Sequence, residues 1–161
     1  INYKDKKLLK EAVIKSCKIK SEIVNKDEKE KNLRMILNFG HTFAHGFEGA
    51  TNFSKKLNHG EAVLLGMIVA SQFSKKINIL SKNNYNLIKN HYVNLKLPMM
   101  LKNKIKKIDL NKVILFMSKD KKNTNKKINL ILLKSIGKTT KPNEYSFQTK
   151  VIKKFLLNHY F

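Results

Sequence analysis

The sequence contains little of what defines several common protein classes. It has one cysteine, Cys17, among 161 residues, which excludes an intrachain disulfide framework and any cysteine-rich zinc module. Its longest apolar run, Ala62 to Ala70, is far shorter than the roughly 18 apolar residues of a membrane span. It has neither a GxGxxG pattern nor a P-loop, so it contains no recognisable phosphate-binding loop.

Acidic residues and arginine are also scarce. Lys and Arg total 34 against 11 Asp and Glu, a net charge of +23. Such an excess can indicate nucleic-acid binding, but only Arg34 is an arginine, and base readout favours bidentate arginine. The lysines are spread along the chain, which is typical of solvated faces. A positive field would equally suit a small anionic substrate, so nucleic-acid binding is the minority alternative.

The chain begins with Ile1 rather than Met and shows no signal-peptide pattern. We therefore expect a piece of a longer chain that works in the reducing cytoplasm. The hydrophobic fraction of 42% is sufficient for one domain, residues 1–161, with its own core.

Periodicity and capping signals predict a mainly helical fold with one small β-hairpin. Asn58 followed by Glu61 forms a capping-box pattern, and the helix after it is apolar nearly all round, so it should be central. The predicted helices are Leu8–Val24, Glu30–Ala50, Gly60–Lys76, Ser81–Asn94, a short helix from Asp109 to Ser118, and Lys150–His159. The predicted strand is Ile128–Leu133, followed by a turn at Gly137.

The first helix carries an apolar stripe that includes Leu9, Val13, Cys17 and Val24. We expect Cys17 to be a small core residue. Lys20 falls on the same stripe. It can either extend outward at the edge of the apolar face or point into a site, and the spacing leaves both alternatives open.

The second predicted helix carries polar groups at every third or fourth residue, which places them on one helical face. We call this face the polar stripe; it comprises Glu30, Arg34, Asn38, His41, His45 and Glu48. An ordinary solvent-exposed face in this chain should contain lysine, and the polar stripe contains none. Hydrogen-bonded core histidines are a second alternative, but they would explain one histidine better than two. The pattern favours a functional face.

Three glycines, Gly40, Gly46 and Gly49, lie in the same segment. Each costs a helix about 1 kcal/mol relative to alanine. Their presence indicates that another helix or a ligand approaches the backbone closely.

His41 and His45 stand four residues apart and could hold a metal from one helical face, although this pattern alone is not specific. The segment lacks the glutamate that follows the first histidine of HExxH zinc proteases. His59, at the start of the central helix, could join His41. Two histidines leave a catalytic zinc site one protein ligand short.

The segment DEKEKNLRMILNFGHTFAHGFE, followed by HGEAVLLGMIVA, closely resembles the C-terminal domain of the 3-dehydroquinate synthase family. KSCKIKSEIV before it, and SKDKK and INLILLKSIG after it, are similar to neighbouring family segments. The resemblance implies a multi-helical domain that follows an NAD-binding domain missing from this chain. The active site would lie between the two domains, in an enzyme that is commonly a homodimer.

The resemblance also implies roles for individual residues. His41 and His59 would bind zinc, for which cobalt is a possible substitute, and the third ligand would be a glutamate upstream of Ile1. Proton transfer would fall to Glu30 and His45. Substrate binding would involve Lys20, Arg34, Asn38, His41, His59 and a lysine of the DKK loop, for which Lys121 is chosen over Lys122. The residues that bind the cofactor stay unknown.

The implied reaction is a phosphate-eliminating lyase step of the shikimate pathway, on the route to chorismate and the aromatic amino acids. The enzyme would convert 3-deoxy-D-arabino-heptulosonate 7-phosphate to 3-dehydroquinate and phosphate with NAD and zinc. We expect this chain alone to be inactive. Alternatives are a related sugar-phosphate cyclase, a metal-dependent polyol dehydrogenase and, more distantly, a basic nucleic-acid-binding domain. The set of Lys20, Arg34 and Asn38 favours an acidic, phosphorylated substrate.

Overall fold

Helices make up most of the protein. The computed structural model describes residues 5–100, 108–119 and 127–161. The helices are α1 (Lys6–Lys26), α2 (His41–Ala50), α3 (His59–Lys76), α4 (Lys82–Asn94), α5 (Leu110–Ser118) and α6 (Thr149–Tyr160), with a 3₁₀ segment, Leu33–Asn38, between α1 and α2. The mainly helical fold class predicted from the sequence is confirmed.

The strands are short and form two antiparallel pairs. β1 (Lys127–Asn129) pairs with β4 (Ser146–Gln148), and β2 (Leu133–Ser135) pairs with β3 (Lys138–Thr139). The hairpin at Gly137, which has φ +80°, is confirmed. The single predicted strand 128–133 is wrong, because residues 130–132 separate β1 from β2 and bury Leu130 and Leu132 in the core.

The three predicted helix caps, Asn58, Ser81 and Asp109, are confirmed. In the capping box at α3, the Glu61 amide donates to Asn58 Oδ1 (2.9 Å) and the Asn58 amide donates to Glu61 Oε2 (3.3 Å). The side-chain oxygens of Ser81 and Asp109 likewise accept hydrogen bonds from backbone amides in the first turns of α4 and α5. Each cap satisfies backbone N–H groups that have no partner within the helix.

Helix α3 is central, as its all-round apolar composition predicted. It packs against α2 and α4, and its buried side chains join those of α2, α5 and α6 in one core. Phe43, Phe47, Phe73 and Phe155 are among the largest fully buried groups. In the described parts of the chain, no helix combines the length and apolarity needed to cross a bilayer.

The predicted continuous helix from Glu30 to Ala50 is wrong. Glu30 has φ +51°, the 3₁₀ segment follows, and Gly40 with φ +84° separates it from α2. The left-handed conformation suits glycine, and a Cβ at Gly40 would lie 2.7 Å from the Met67 backbone nitrogen on α3. The close approach that the glycines indicated is therefore present, but at Gly40 it accompanies a break in the helix.

The prediction for Cys17 is also wrong. Cys17 is exposed, and α1 has no buried residue. Leu9 and Val13, on the same apolar stripe, are exposed as well. Helical spacing shows that a face is apolar, but it does not show that the surface covering that face lies in the same chain.

The α2–α3 contact depends on Gly66, which yields a test of stability. A Cβ at Gly66 would collide with the carbonyl oxygen of Gly40 and lie 3.1 Å from the Ala44 nitrogen. We expect Gly66→Ala to lower the free energy of unfolding by about 2 kcal/mol or more, because packed backbone cannot move aside. Urea unfolding of the chain measures the change.

Gly60→Ala in the same helix is the matched control, since the nearest atom to its added Cβ is Asn58 Oδ1 at 3.7 Å. We expect it to change the free energy of unfolding by less than about 1 kcal/mol, in the stabilising direction. Equal effects of the two substitutions would contradict the close contact.

Candidate metal and substrate site

The broken segment still brings most of the polar stripe together. Glu30, Asn38, His41 and His45 line one cavity of about 240 Å³. Asn38 Nδ2 donates a hydrogen bond to Glu30 Oε1 at 2.8 Å, which orients the carboxylate. The turn, the 3₁₀ segment and α2 therefore place these side chains around one space without a continuous helix.

A second cavity of about 500 Å³ shares Glu30, Asn38 and His41 with the first. Lys20 and Arg34 also line it. Lys20 reaches it from α1 although its side chain is exposed. This placement favours the inward alternative for Lys20 over simple extension away from the fold.

Asp27 organises the turn that carries Glu30 and Arg34. Its carboxylate accepts hydrogen bonds from the amides of Lys31 (2.9 Å), Asn32 (2.8 Å) and Arg34 (3.0 Å). These bonds, that of Arg34 first, hold the pKa of Asp27 below its ordinary value, because they favour the charged carboxylate. The turn is thus closed by a single half-buried side chain.

Three imidazoles meet where α2 and α3 begin. The ring centroid of His41 lies 5.6 Å from that of His59 and 5.9 Å from that of His45, and the centroids of His45 and His59 lie 6.5 Å apart. Zinc–nitrogen bonds of about 2.0–2.1 Å in tetrahedral geometry place two ligating imidazole centroids roughly 5 Å apart. The spacing of His41 and His59 is close to that value.

The electrostatics of His41 suit a metal ligand. Burial lowers its pKa; the Phe39 carbonyl acts in the opposite direction, and the neighbouring histidines lower the pKa further. Its Nδ1 is buried and makes no hydrogen bond of ordinary geometry within the described residues. A lowered pKa keeps the imidazole neutral near neutral pH, and the neutral form is the one that binds metals.

The described residues do not supply a complete set of metal ligands. Within residues 5–100, 108–119 and 127–161, no group of three His, Cys, Asp or Glu side chains is arranged to hold a metal ion. Glu48 contacts His59 Nδ1 at 3.1 Å. The histidine pair therefore fits two positions of a zinc site and leaves the third to another segment.

Lys121, the lysine of the DKK loop that was predicted to bind substrate, lies outside the described residues.

Sequence reasoning missed three polar residues that line the first cavity. Thr42 comes from α2, Asn129 from the end of β1, and Asn143 from the loop between β3 and β4. Asn143 has φ +59°, a conformation that asparagine tolerates in turns. Thr42 directly follows His41 in the chain, whereas the two asparagines are remote from His41 in sequence, and no local pattern links them to it.

Comparison with known proteins identifies the family. Residues 1–123 match the family model described as 3-dehydroquinate synthase C-terminal. The chain therefore belongs to this family, as the resemblance in its sequence predicted. The match includes every residue of the polar stripe together with His59, and it ends before β1.

Curated relatives carry the name 3-dehydroquinate synthase. The protein from Thermoanaerobacter sp. strain X514 is 60% identical over 45 residues, which are 28% of this chain and 13% of the relative. The protein from Microcystis aeruginosa is 52% identical over 50 residues, which are 31% of this chain and 14% of the relative. The matched stretches thus span about a seventh of these relatives.

Solved structures show the same fold. 2-Deoxy-scyllo-inosose synthase is 25% identical with a TM-score of 0.65, and the match covers 84% of this chain and 36% of that protein. 2-Epi-5-epi-valiolone synthase from Streptomyces hygroscopicus, solved with NAD⁺ and Zn²⁺ bound, is 22% identical with a TM-score of 0.67, covering 85% and 36%. The chain spans about a third of these enzymes and has the fold of sugar-phosphate cyclases.

The turn closed by Asp27 gives a testable prediction. In Asp27→Asn, amide hydrogen exchange at Lys31, Asn32 and Arg34 should accelerate, because the neutral amide is a weaker acceptor than the carboxylate. In the unmodified chain, the pKa of Asp27 lies below the ordinary carboxyl value of 3.8. The charged carboxylate therefore stabilises the turn fully at every pH above that value. The added stability is lost as pH falls through the lowered pKa.

Glu144→Gln is the control for this exchange experiment. Glu144 also has a lowered pKa, because of Lys134 first and then the Lys141 amide, but it lies in the loop before β4. We expect no change in exchange at Lys31, Asn32 and Arg34. Unaltered exchange in Asp27→Asn would refute the role of this carboxylate.

Proposed function

We propose that this chain is the C-terminal part of a 3-dehydroquinate synthase. The enzyme would convert 3-deoxy-D-arabino-heptulosonate 7-phosphate to 3-dehydroquinate and phosphate in the shikimate pathway. The observation that carries this proposal is the convergence of a carboxylate, two imidazoles and two cationic side chains on two adjoining cavities. All of these residues lie in the part of the chain that matches the family.

Lys20 and Arg34 would bind the anionic groups of the substrate. Both line the larger cavity, and charge-assisted hydrogen bonds to carboxylate or phosphate are among the strongest available. Arg34 Nη1 donates to the Glu28 carbonyl at 2.9 Å, which steadies the guanidinium. That group carries five N–H donors, so this one bond still permits bidentate contact with the substrate.

Glu30 and His45 would transfer protons. Both face the smaller cavity, and the bond from Asn38 fixes one oxygen of the Glu30 carboxylate. General acid–base groups must reach the reacting atom within hydrogen-bond distance. A substrate in this cavity would contact both the Glu30 carboxylate and the His45 imidazole.

His41 and His59 would hold a zinc ion together with a glutamate from the preceding chain. The bound ion would supply Lewis-acid polarisation of the oxygen that is oxidised. Support for a metal comes from the buried Nδ1 of His41 and from the imidazole spacing. Solved cyclases of the same fold hold NAD⁺ with Zn²⁺ or Co²⁺. These bound groups support NAD and zinc as the cofactors of the complete enzyme, with cobalt as a possible substitute for zinc.

NAD would be bound mainly by an N-terminal domain of the same enzyme, in a homodimer located in the cytoplasm. The exposed apolar face of α1, including Val13 and Ile14, supports contact with such a domain. An apolar groove of about 600 Å³ extends this surface from Ile19 to Met67 and Ile136. Residues 1–161 would then form one metal- and substrate-binding domain.

A related sugar-phosphate cyclase is the second candidate, because the solved structures of this fold include two such enzymes. A panel of phosphorylated sugars and the sugar-acid phosphate, given to the complete enzyme, separates the two candidates. Turnover of the sugar-acid phosphate alone supports 3-dehydroquinate synthase. Turnover of a sugar phosphate that lacks a carboxylate, and of no other substrate, supports the other cyclase.

Removing a metal ligand gives a direct test. In the complete enzyme, His59→Ala should lower zinc affinity and activity together. The loss of zinc affinity should be greater than the loss of about 10–100-fold that is typical when a residue that only supports a metal ligand is removed. His91→Ala, an exposed histidine on α4, is the control and should leave both unchanged. Lost activity with zinc fully bound would show that His59 is not a ligand.

The isolated chain should be inactive. Given NAD, zinc and the sugar-acid phosphate, it should release no phosphate above the background rate, because a metal ligand and the NAD-binding domain are absent. The complete enzyme under the same conditions is the positive control. Steady phosphate release by the 161 residues would overturn the expectation.

A further inference from the structure

We propose that Glu48 is a positioning residue for His59, holding its Nδ1–H so that Nε2 is presented to the metal. This inference rests on the proposed function, in which His59 is a zinc ligand. Neither the resemblance nor the family match gives Glu48 a role. It is the one member of the polar stripe that lines neither cavity at the site.

The contact itself is specific. Glu48 Oε1 lies 3.1 Å from His59 Nδ1, and the Glu48 side chain is 12% exposed whereas that of His59 is 60% exposed. An ionised carboxylate can only accept hydrogen bonds, so a bond to Nδ1 requires the hydrogen to be on Nδ1. In a neutral imidazole the lone pair then resides on Nε2.

The backbone holds Glu48 in place. Its carbonyl oxygen accepts hydrogen bonds from Thr51 Oγ1 (2.9 Å) and from the Phe53 amide (2.8 Å) at the end of α2. The adjacent Gly49 packs so closely on the Phe116 ring that any side chain there would collide with it. The last turn of α2 is therefore fixed against α5, and Glu48 with it.

His59 is fixed from the other side. It is the first residue of α3, immediately after the Asn58 cap, and its ring lies beside His41 at a centroid distance of 5.6 Å. In metal sites, ligating histidines generally donate their second N–H to a carboxylate, carbonyl or water, which sets the tautomer and the ring orientation. The Glu48–His59 contact has this arrangement.

A plain ion pair is the competing explanation, and it makes a different prediction. Because His59 is largely exposed, a simple pair would contribute little to stability and would not affect metal binding beyond its charge. A positioning role predicts a selective loss of zinc affinity together with a change in the His59 tautomer.

The first experiment measures zinc dissociation by chelator competition in the complete enzyme. Glu48→Gln should weaken zinc binding by about 10–100-fold. Glu61→Gln is the matched control: it removes the same charge two residues from His59, and glutamine preserves a capping box. We expect it to leave zinc affinity nearly unchanged. An equal loss in both variants would reveal a general charge effect and overturn the proposal.

The second experiment measures the His59 tautomer by nitrogen-15 NMR of the metal-free chain, at about pH 8, where an ordinary histidine is neutral. The unmodified chain should show a hydrogen on Nδ1. Glu48→Gln should show both tautomers, because an amide can present either its oxygen or its NH₂ group. An unchanged tautomer in Glu48→Gln would overturn the proposal even if zinc affinity falls.

The outcomes separate this inference from the proposed function. If the unmodified enzyme binds zinc through His59 and Glu48→Gln binds it equally well, the positioning role is wrong and the metal site stands. If the unmodified enzyme binds no zinc, or if His59→Ala leaves its zinc affinity unchanged, the metal role of His59 is wrong and the inference falls with it.

Discussion

The close approach of α2 and α3 is the constraint on which the site depends. Gly66 allows the Gly40 carbonyl to sit against α3, and the left-handed Gly40 in turn lies against the Met67 backbone. This contact starts α2 at His41, beside the His59 that starts α3. Two helix beginnings thus place two imidazoles within metal-binding distance. A larger residue at either glycine would separate them.

The rest of the site depends on a break in regular structure. Asp27 closes a turn with three backbone hydrogen bonds, and Glu30 stands in that turn at a positive φ. A continuous helix would spread Glu30 and His45 over four turns, about 22 Å along its axis. The turn and the 3₁₀ segment fold this length back, so that both side chains face one cavity.

Sequence reasoning succeeded where the signal is local and failed where it depends on a distant contact. The caps at Asn58, Ser81 and Asp109 were predicted because each oxygen serves amides two or three residues away. The polar stripe was recognised from its composition, but its predicted geometry was wrong because Gly40 adopts a positive φ where it packs against the Met67 backbone, a contact that is distant in sequence. Cys17 was misplaced because its apolar face has no cover within the described chain. Asn129 and Asn143 join the cavity only through tertiary folding, which no local spacing reveals.

A metal site divided between two chain segments, as proposed, would couple metal binding to assembly. Two histidines come from this chain, and the proposed third ligand comes from the segment that precedes it. If association of the two parts strengthens metal binding by some factor, then metal binding strengthens their association by the same factor, because the linkage is reciprocal.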